Sequence, residues 1–331
     1  MRILVSPKAL PDLQKLVKNS SDLDVEFLNS DEQTPGVQFD AALISRDVTA
    51  TSTKQKVIPS TQSFYDLLLN SPDLKWVQIH SAGADRQIYL DLMKRGVTIS
   101  GSSGVNAPIV MQNAIAGILM LARQFPRMLK AQAERRWDPL INYPLPPDLA
   151  GQTAVIVGRG PIGDGIAKVL QVLGVNTISV GFNAALKDQA LSELASSKIV
   201  HISQLKQVLP QAQWLVLACP LSNETRNLID QSAIDLLPDG ARIINIARGE
   251  IICEADLISA LQSEKLAGAY LDVFTSEPLD VQSPLWGMDK VIVTPHSAGH
   301  SAGNEARVLE LFVENLRLFA HGQVLKNQIA A

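Results

Sequence analysis

Short apolar runs alternate along this chain with polar stretches of helical spacing. In the N-terminal third, the runs at 3–5, 42–44, 76–79 and 98–99 have strand length, and 10–18 and 63–69 carry the spacing of amphipathic helices. A continuous apolar run without in/out alternation marks a strand covered on both faces. Strand–helix alternation of this kind predicts a parallel sheet with helices packed on it. The stretch 36–60 is patterned more weakly and reads as partly irregular.

A long helix is expected from about 108 to 135, with Pro108 in its first turn, where a missing N–H costs nothing. Tyr143-Pro144-Leu145-Pro146-Pro147 then forms a connector that cannot be helical. A second alternation follows, with strands expected at 154–157, 177–180, 215–218, 242–246, 267–271 and 291–294. Six strands joined by crossover helices make a doubly wound sheet. The tail 305–321 is apolar at Val308, Leu311, Phe312, Leu316 and Phe319, a helical spacing, and is expected to return to the first domain. The chain therefore divides into one domain of 1–104 plus 297–331 and a second of 105–296.

Composition narrows the class of protein. The 331 residues are 46% hydrophobic and 19% charged, enough for two cores and too apolar for wholesale disorder. A formal charge of −4 argues against a nucleic-acid partner, which would want a basic face. Cys219 and Cys253 have no metal-type spacing and read as reduced thiols, so no metal site is expected. The apolar run at the N-terminus is too short for a signal peptide. The run 114–122 falls well below the roughly 20 residues of a membrane span. No membrane association and a cytoplasmic location are expected.

The most specific local pattern is Gly158-Arg159-Gly160-Pro161-Ile162-Gly163, directly after an expected strand and opening a helix. The first glycine permits a tight turn, the second a close approach of backbone to a pyrophosphate, the third close packing of helix on strand. The helix N-terminus adds unpaired N–H groups and a partial positive charge. An acid about 20 residues further on would bind the adenosine ribose. Here Gly181-Phe182-Asn183 stands there, with Lys187 as the nearest base. Losing that carboxylate removes a ribose partner and also a repulsion against a 2′-phosphate, so NAD(P) is expected with NADP favoured.

Polar residues then fall at successive strand ends. Cys219-Pro220, Arg248, Asp272 and His296 each follow an expected strand. In open parallel sheets ligands bind outside the carboxyl ends of the strands, so these residues should converge on one crevice.

With these blocks in view, the chain resembles the D-isomer-specific 2-hydroxyacid dehydrogenase family. The matching pieces are the glycine motif, Cys219-Pro220-Leu221-Ser222-Asn223-Glu224-Thr225, Asn245-Ile246-Ala247-Arg248-Gly249, Leu271-Asp272-Val273-Phe274-Thr275-Ser276-Glu277-Pro278 and Thr294-Pro295-His296-Ser297-Ala298. They cover essentially the whole second half. In the first domain, His80-Ser81-Ala82-Gly83-Ala84-Asp85 is similar to the family's substrate-carboxylate loop.

The resemblance implies α/β architecture with two doubly wound parallel-sheet domains, a Rossmann dinucleotide domain and a flavodoxin-like substrate domain, with a cleft between them and a homodimeric assembly. It implies hydride transfer between NAD(P)H and a small 2-oxo or D-2-hydroxy acid such as glyoxylate or hydroxypyruvate. Arg248, Glu277 and His296 form the implied catalytic triad. Arg248 has the planar fork that suits a carboxylate beside a carbonyl. Imidazole, with an ordinary pKa of about 6.5, suits His296 as general acid and base, and Glu277 would orient it. Ser81, Ala82 and Gly83, with Arg248 and His296, would hold the substrate. Gly158, Gly160, Pro161, Ile162, Gly163, Gly181, Asn183, Cys219, Pro220, Thr225, Ala247 and Asp272 would line the cofactor, and Trp137 would stand near the substrate. Loops 52–60 and 140–145 would select among substrates. Three departures are visible: the acid is missing at Gly181, Gln112 replaces a common glutamate, and Gly181-Phe182-Asn183 lacks the arginine of the clearest NADP users. The rival reading is a dinucleotide-sensing binding protein of the corepressor type, against which stand the absence of a long disordered tail and of a basic surface region.

Overall fold

A computed structural model describes residues 1–18, 23–53, 56–84, 86–183 and 197–329. The contacts divide the chain into two compact units, Met1–Asn106 with Ser301–Ala331, and Ala107–His300. Asp85, residues 54–55 of the loop 52–60, and Lys187 lie outside the described residues.

In chain order the first unit opens with β1 (Arg2–Val5), α1 (Leu10–Val17), β2 (Glu26–Asn29), β3 (Ala41–Ile44), α2 (Arg46–Thr49), α3 (Pro59–Asn70), β4 (Trp76–Ile79), α4 (Gln87–Lys94) and β5 (Thr98–Ser100). The second contains α5 (Ala107–Ala122), α6 (Phe125–Ala133), β6 (Thr153–Val157), α7 (Pro161–Val172), β7 (Asn176–Gly181), β8 (Ser197–His201), α8 (Leu205–Val208), β9 (Trp214–Leu217), α9 (Gln231–Leu236), β10 (Ala241–Asn245), α10 (Glu254–Gln262), β11 (Leu266–Leu271) and β12 (Val291–Val293). The chain then re-enters the first unit as α11 (Asn304–Ala320).

The first unit's five strands lie in the order β2-β1-β3-β4-β5, all parallel. That is the flavodoxin-like order. Its inner strands are apolar because helices cover both faces: every residue of β3 and β4 is buried. The returning α11 docks by more than apolar contact. Phe312 stacks on Trp76 with ring centroids 5.1 Å apart. Buried Asn315 donates to Gln78 Oε1 at 2.8 Å, and its own Oδ1 accepts from the Lys326 N–H at 2.8 Å. A buried amide must be partnered, so this bridge admits one register for the tail.

The second unit's seven strands run in the order β12-β11-β10-β9-β6-β7-β8, again all parallel. Counted from β6 this is the dinucleotide-binding order, and the topological switch lies between β6 and β9. Close packing holds the helices to it: a Cβ on Gly117 of α5 would come within 2.5 Å of the Tyr270 ring, and one on Gly165 of α7 within 2.7 Å of Met111 Sδ.

The sequence reading falls short at the sheet edges and in one helix. Neither β2 nor β8 was expected; both are outermost strands. In β2 only Leu28 is buried, and in β8 Val200 is buried while Ile199 remains 40% exposed. An edge strand half-covered by helices needs no continuous apolar run, and in these two the pattern is faint, whereas β5 and β12, also outermost, are short runs that the sequence reading does find. The expected helix 108–135 is broken in two. Gln124 adopts the left-handed conformation (φ 55°, ψ 35°) between α5 and α6. Pro126 is the cause: its ring would clash with the carbonyl of Ala122, and it has no N–H to give.

Candidate active site

The glycine turn joins β6 to α7 at the switch point. Gly158 has φ +119°, and a Cβ there would come within 2.5 Å of the Ala218 carbonyl oxygen at the end of β9. A Cβ on Gly163 would overlap the Gly158 carbonyl. Gly160 differs, since nothing lies within 4 Å of where its Cβ would stand. The turn is thus pressed against the sheet at the first and third glycines and open at the second. α7 begins at Pro161, and its first backbone bond comes from Asp164 N–H to the Gly160 carbonyl at 2.9 Å, so the amides of Ile162 and Gly163 stand at the helix mouth. These residues fit the pyrophosphate of a dinucleotide.

Gly181 ends β7, in register with His201 of β8. No carboxylate stands at 181–183, and Asn183 is exposed. Cys219 is buried behind Gly158, and burial pushes its thiol up to about 11, so it serves as an apolar wall rather than a nucleophile. Thr225 is buried; its hydroxyl accepts from the Ser222 N–H at 2.7 Å and donates to the Pro220 carbonyl at 2.8 Å. Thr225 therefore ties the loop after β9 into shape.

Arg248 follows β10 by a tight turn. Asn245, buried at the end of that strand, donates from Nδ2 to the Arg248 carbonyl at 3.0 Å and accepts from the Ala247 N–H at 3.1 Å. The next residue, Gly249, is pressed against the backbone of Phe274 and Thr275, leaving no room for a Cβ. Arg248 Nη1 donates to the Ala247 carbonyl at 2.7 Å, the one hydrogen bond of this guanidinium among the described residues.

His296 lies past β12 and also has a left-handed backbone, φ 48°. Three groups hold it there. Its N–H donates to the Asp272 carbonyl at 2.8 Å. The Asp272 carboxylate, buried after β11, accepts from the Ser297 N–H at 2.8 Å, from the Ala298 N–H at 3.0 Å and from the Thr294 hydroxyl at 2.6 Å. Asn113 of α5 donates to the Ala298 carbonyl at 2.9 Å. Consecutive N–H groups around a carboxylate form an anion nest; here the anion belongs to the protein and the nest carries the histidine.

The imidazole meets Glu277, with Nδ1 2.8 Å from Oε2. The other carboxylate oxygen accepts from the Phe274 N–H at 3.1 Å. Burial pushes the Glu277 carboxyl up, but the bond to His296, that ring's charge, the Phe274 amide and the Arg248 guanidinium outweigh it and hold the carboxyl below its ordinary value. An ionised carboxylate only accepts, which assigns the proton to Nδ1. Nε2, without a hydrogen-bond partner among the described residues, is left to face a ligand.

Gly158, Cys219, Arg248, Asp272 and His296 thus follow five neighbouring strands at one edge of one sheet. Ser81, Ala82 and Gly83 belong to the other unit, at the carboxyl end of β4. There Ser81 Oγ donates to the Gly83 carbonyl at 2.9 Å, and the Ser102 N–H donates to the Ser81 carbonyl at 2.9 Å. Trp137 is 95% exposed within its unit. Asn113 carries no mark in the sequence that separates it from ordinary polar residues, and Asn245 stands in a matching block without an assigned role; their burial and bonds reveal what they do.

The family model for D-isomer specific 2-hydroxyacid dehydrogenase, NAD binding domain, matches residues 115–298. The chain belongs to the D-isomer-specific 2-hydroxyacid dehydrogenase family. A hydroxypyruvate reductase of Blautia hydrogenotrophica is 30% identical over 256 residues, covering 76% of this chain and 77% of that one. A glyoxylate reductase of Pyrococcus horikoshii is 30% identical over 264 residues, 77% of this chain and 76% of its own. Among solved structures, the family member of Xanthobacter autotrophicus in complex with NADPH and MES is 28% identical, with a TM-score of 0.75 and coverage of 99% and 97%. As a member of this 2-hydroxyacid dehydrogenase family, the protein is an NAD(P)-dependent oxidoreductase, and the corepressor-type reading is not favoured.

Proposed function

We propose that the protein reduces small 2-oxo acids of the glyoxylate or hydroxypyruvate type to D-2-hydroxy acids, and that it accepts NADPH at least as well as NADH. The observation that carries the reading is the His296–Glu277 pair at 2.8 Å with Nε2 unengaged, on a sheet edge that also bears Arg248. Gly158, Gly160, Pro161, Ile162 and Gly163 would hold the pyrophosphate, with Gly181, Asn183, Cys219, Pro220, Thr225, Ala247 and Asp272 around the rest of the dinucleotide. The bound nicotinamide supplies the hydride at the carbonyl carbon.

The side chains account for the remaining steps. Arg248 grips the carboxylate and the carbonyl oxygen with a directional, charge-assisted fork. On the other unit, Ser81, Ala82 and Gly83 offer backbone amides that would suit a carboxylate. As negative charge develops on the carbonyl oxygen, the His296 Nε2 proton moves to it, and Glu277 supports the imidazolium before transfer. The reverse reaction runs the same proton back. Gly181, in place of an acid, leaves a 2′-phosphate unopposed.

A homodimer is part of this reading. The segment after α6 presents Trp137, Ile141 and Leu145 at 95%, 73% and 61% exposure. The same segment is braced, with Asp138 bridging Arg127 at 3.0 Å and Arg136 at 2.7 Å. A stiff arm bearing exposed apolar side chains suits a second copy. A cytoplasmic location accords with two free cysteines and with no described helix long and apolar enough to cross a membrane.

The test is a panel of 2-oxo acids followed by loss of nicotinamide absorbance with each cofactor, on wild type and His296→Ala. The variant should lose at least about 100-fold in kcat, the scale of general acid–base catalysis, while still binding NAD(P)H. Wild-type rates in the variant would overturn the assignment.

A further inference from the structure

We propose that Asn245 is the positioning residue for Arg248, acting on the substrate-binding arginine through the turn that carries it. The proposal rests on the functional reading of Arg248 given above and deepens it.

Asn245 is 1% exposed at the last position of β10, between β9 and β11, where an apolar residue would be the simpler choice. Both ends of its amide are used within the turn it precedes: Nδ2 on the Arg248 carbonyl at 3.0 Å, Oδ1 on the Ala247 N–H at 3.1 Å. These two groups bracket the peptide unit that leads into Arg248. The Arg248 carbonyl receives a second, longer bond from the Ile251 N–H at 3.3 Å. From the other side, the Phe274 and Thr275 backbone closes on Gly249. Asn245 also ties this turn to the residue that anchors the histidine, because the Asp272 N–H donates to the Asn245 carbonyl at 3.0 Å.

Only an amide of this length supplies one donor and one acceptor at these places. Aspartate offers acceptors alone when ionised, and would set a carboxylate oxygen against the Arg248 carbonyl; protonated, it regains one O–H donor. Leucine would leave the Ala247 N–H buried without a partner. The side chain does not itself engage the substrate. It sets where the guanidinium starts, and a directional fork tolerates little displacement.

The experiment compares Asn245→Ala, Asn245→Asp and Arg248→Ala with wild type. It measures melting temperature, NADPH affinity by fluorescence titration, and kcat and KM for glyoxylate and hydroxypyruvate across pH. In Asn245→Ala, KM should rise and kcat fall, with kcat/KM lower by roughly 10-fold or more, while NADPH affinity is unchanged. In Asn245→Asp, kcat/KM relative to wild type at the same pH should recover as pH falls, because protonation restores the donor. An ionised buried carboxylate also weakens the fold, so melting temperature is followed at each pH, and recovery of kcat/KM in protein that stays folded throughout is the signature of the restored donor. Unaltered kinetics in a folded Asn245→Ala, beside a crippled Arg248→Ala, would overturn the proposal and leave the role of Arg248 standing. An unimpaired Arg248→Ala would overturn that role itself. If Asn245→Ala does not fold, the near-isosteric Asn245→Asp decides: a ratio to wild type independent of pH overturns the proposal, as does a loss of NADPH affinity matching the loss of activity.

Discussion

Asp272→Asn should uncouple the histidine loop from the sheet. The wild-type carboxylate takes three hydrogen bonds on Oδ1, from the Thr294 hydroxyl at 2.6 Å, the Ser297 N–H at 2.8 Å and the Ala298 N–H at 3.1 Å, and one on Oδ2, from Ala298 N–H at 3.0 Å. Asparagine has a single acceptor oxygen. In its better orientation that oxygen replaces Oδ1, and the new NH2 group then faces the Ala298 N–H, donor against donor. At least one charge-assisted bond is lost, worth about 1.5–3 kcal/mol, in a site only 2% exposed. For a unit of this size each kcal/mol shifts Tm by about 2–4 °C, so a drop of roughly 3–12 °C is expected. The kinetic effect should be larger than the thermal one suggests. His296 has φ 48°, a conformation costing a non-glycine residue about 1 kcal/mol or more, and once the nest is weakened the backbone gains by leaving it. Calorimetry, NADPH titration and kcat on the same preparation separate the possibilities. A fall in Tm and kcat with NADPH affinity retained fits a positioning role. Unchanged Tm and kcat would refute the reasoning, and a loss confined to NADPH affinity would make Asp272 a cofactor contact alone.

Glu277→Gln should lower kcat for reduction, because an amide cannot hold the Nδ1 proton by a charge-assisted bond and so orients the ring less firmly; a kcat equal to wild type would sever Glu277 from His296. The wild-type Glu277 carboxyl lies below its ordinary value of 4.5, so the stability it contributes is complete above that value and is lost only as pH falls through the lower, folded one, which acid titration of wild type against Glu277→Gln will check. Arg248→Lys should be severely impaired in both KM and kcat, since a point charge cannot reproduce a bidentate fork; steady-state kinetics that match wild type would make Arg248 structural. Gly181→Asp should shift the ratio of kcat/KM values toward NADH by about 10-fold or more, as expected when a carboxylate gains the ribose and opposes a 2′-phosphate, and a wild type already strongly selective for NADH would count against the cofactor reading.

Much of this molecule is determined by its linear pattern. Buried parallel strands must be apolar on both faces, so β1, β3, β4, β6 and β9–β11 stand out as runs, and the glycine turn announces itself because its first and third glycines answer a steric demand that the structure displays at Gly158 and Gly163. Arg248 and His296 stand out at the ends of expected strands and Glu277 through the resemblance alone; that Glu277 Oε2 stands 2.8 Å from His296 Nδ1 is a finding of the structure. Other features could be decided only by tertiary structure. Strands β2 and β8 are outermost and carry polar or exposed residues among their apolar ones, and so leave a weak trace. The break at Gln124 is not among these features: it follows from Pro126, which stands in the sequence and conflicts with a carbonyl four residues earlier. Asn113 and the nest around Asp272 act through hydrogen bonds between segments far apart in the chain, whereas Asn245 bonds locally and is set apart by its burial. A buried amide or carboxylate takes its role from the partners that folding brings to it, and no local pattern names those partners in advance.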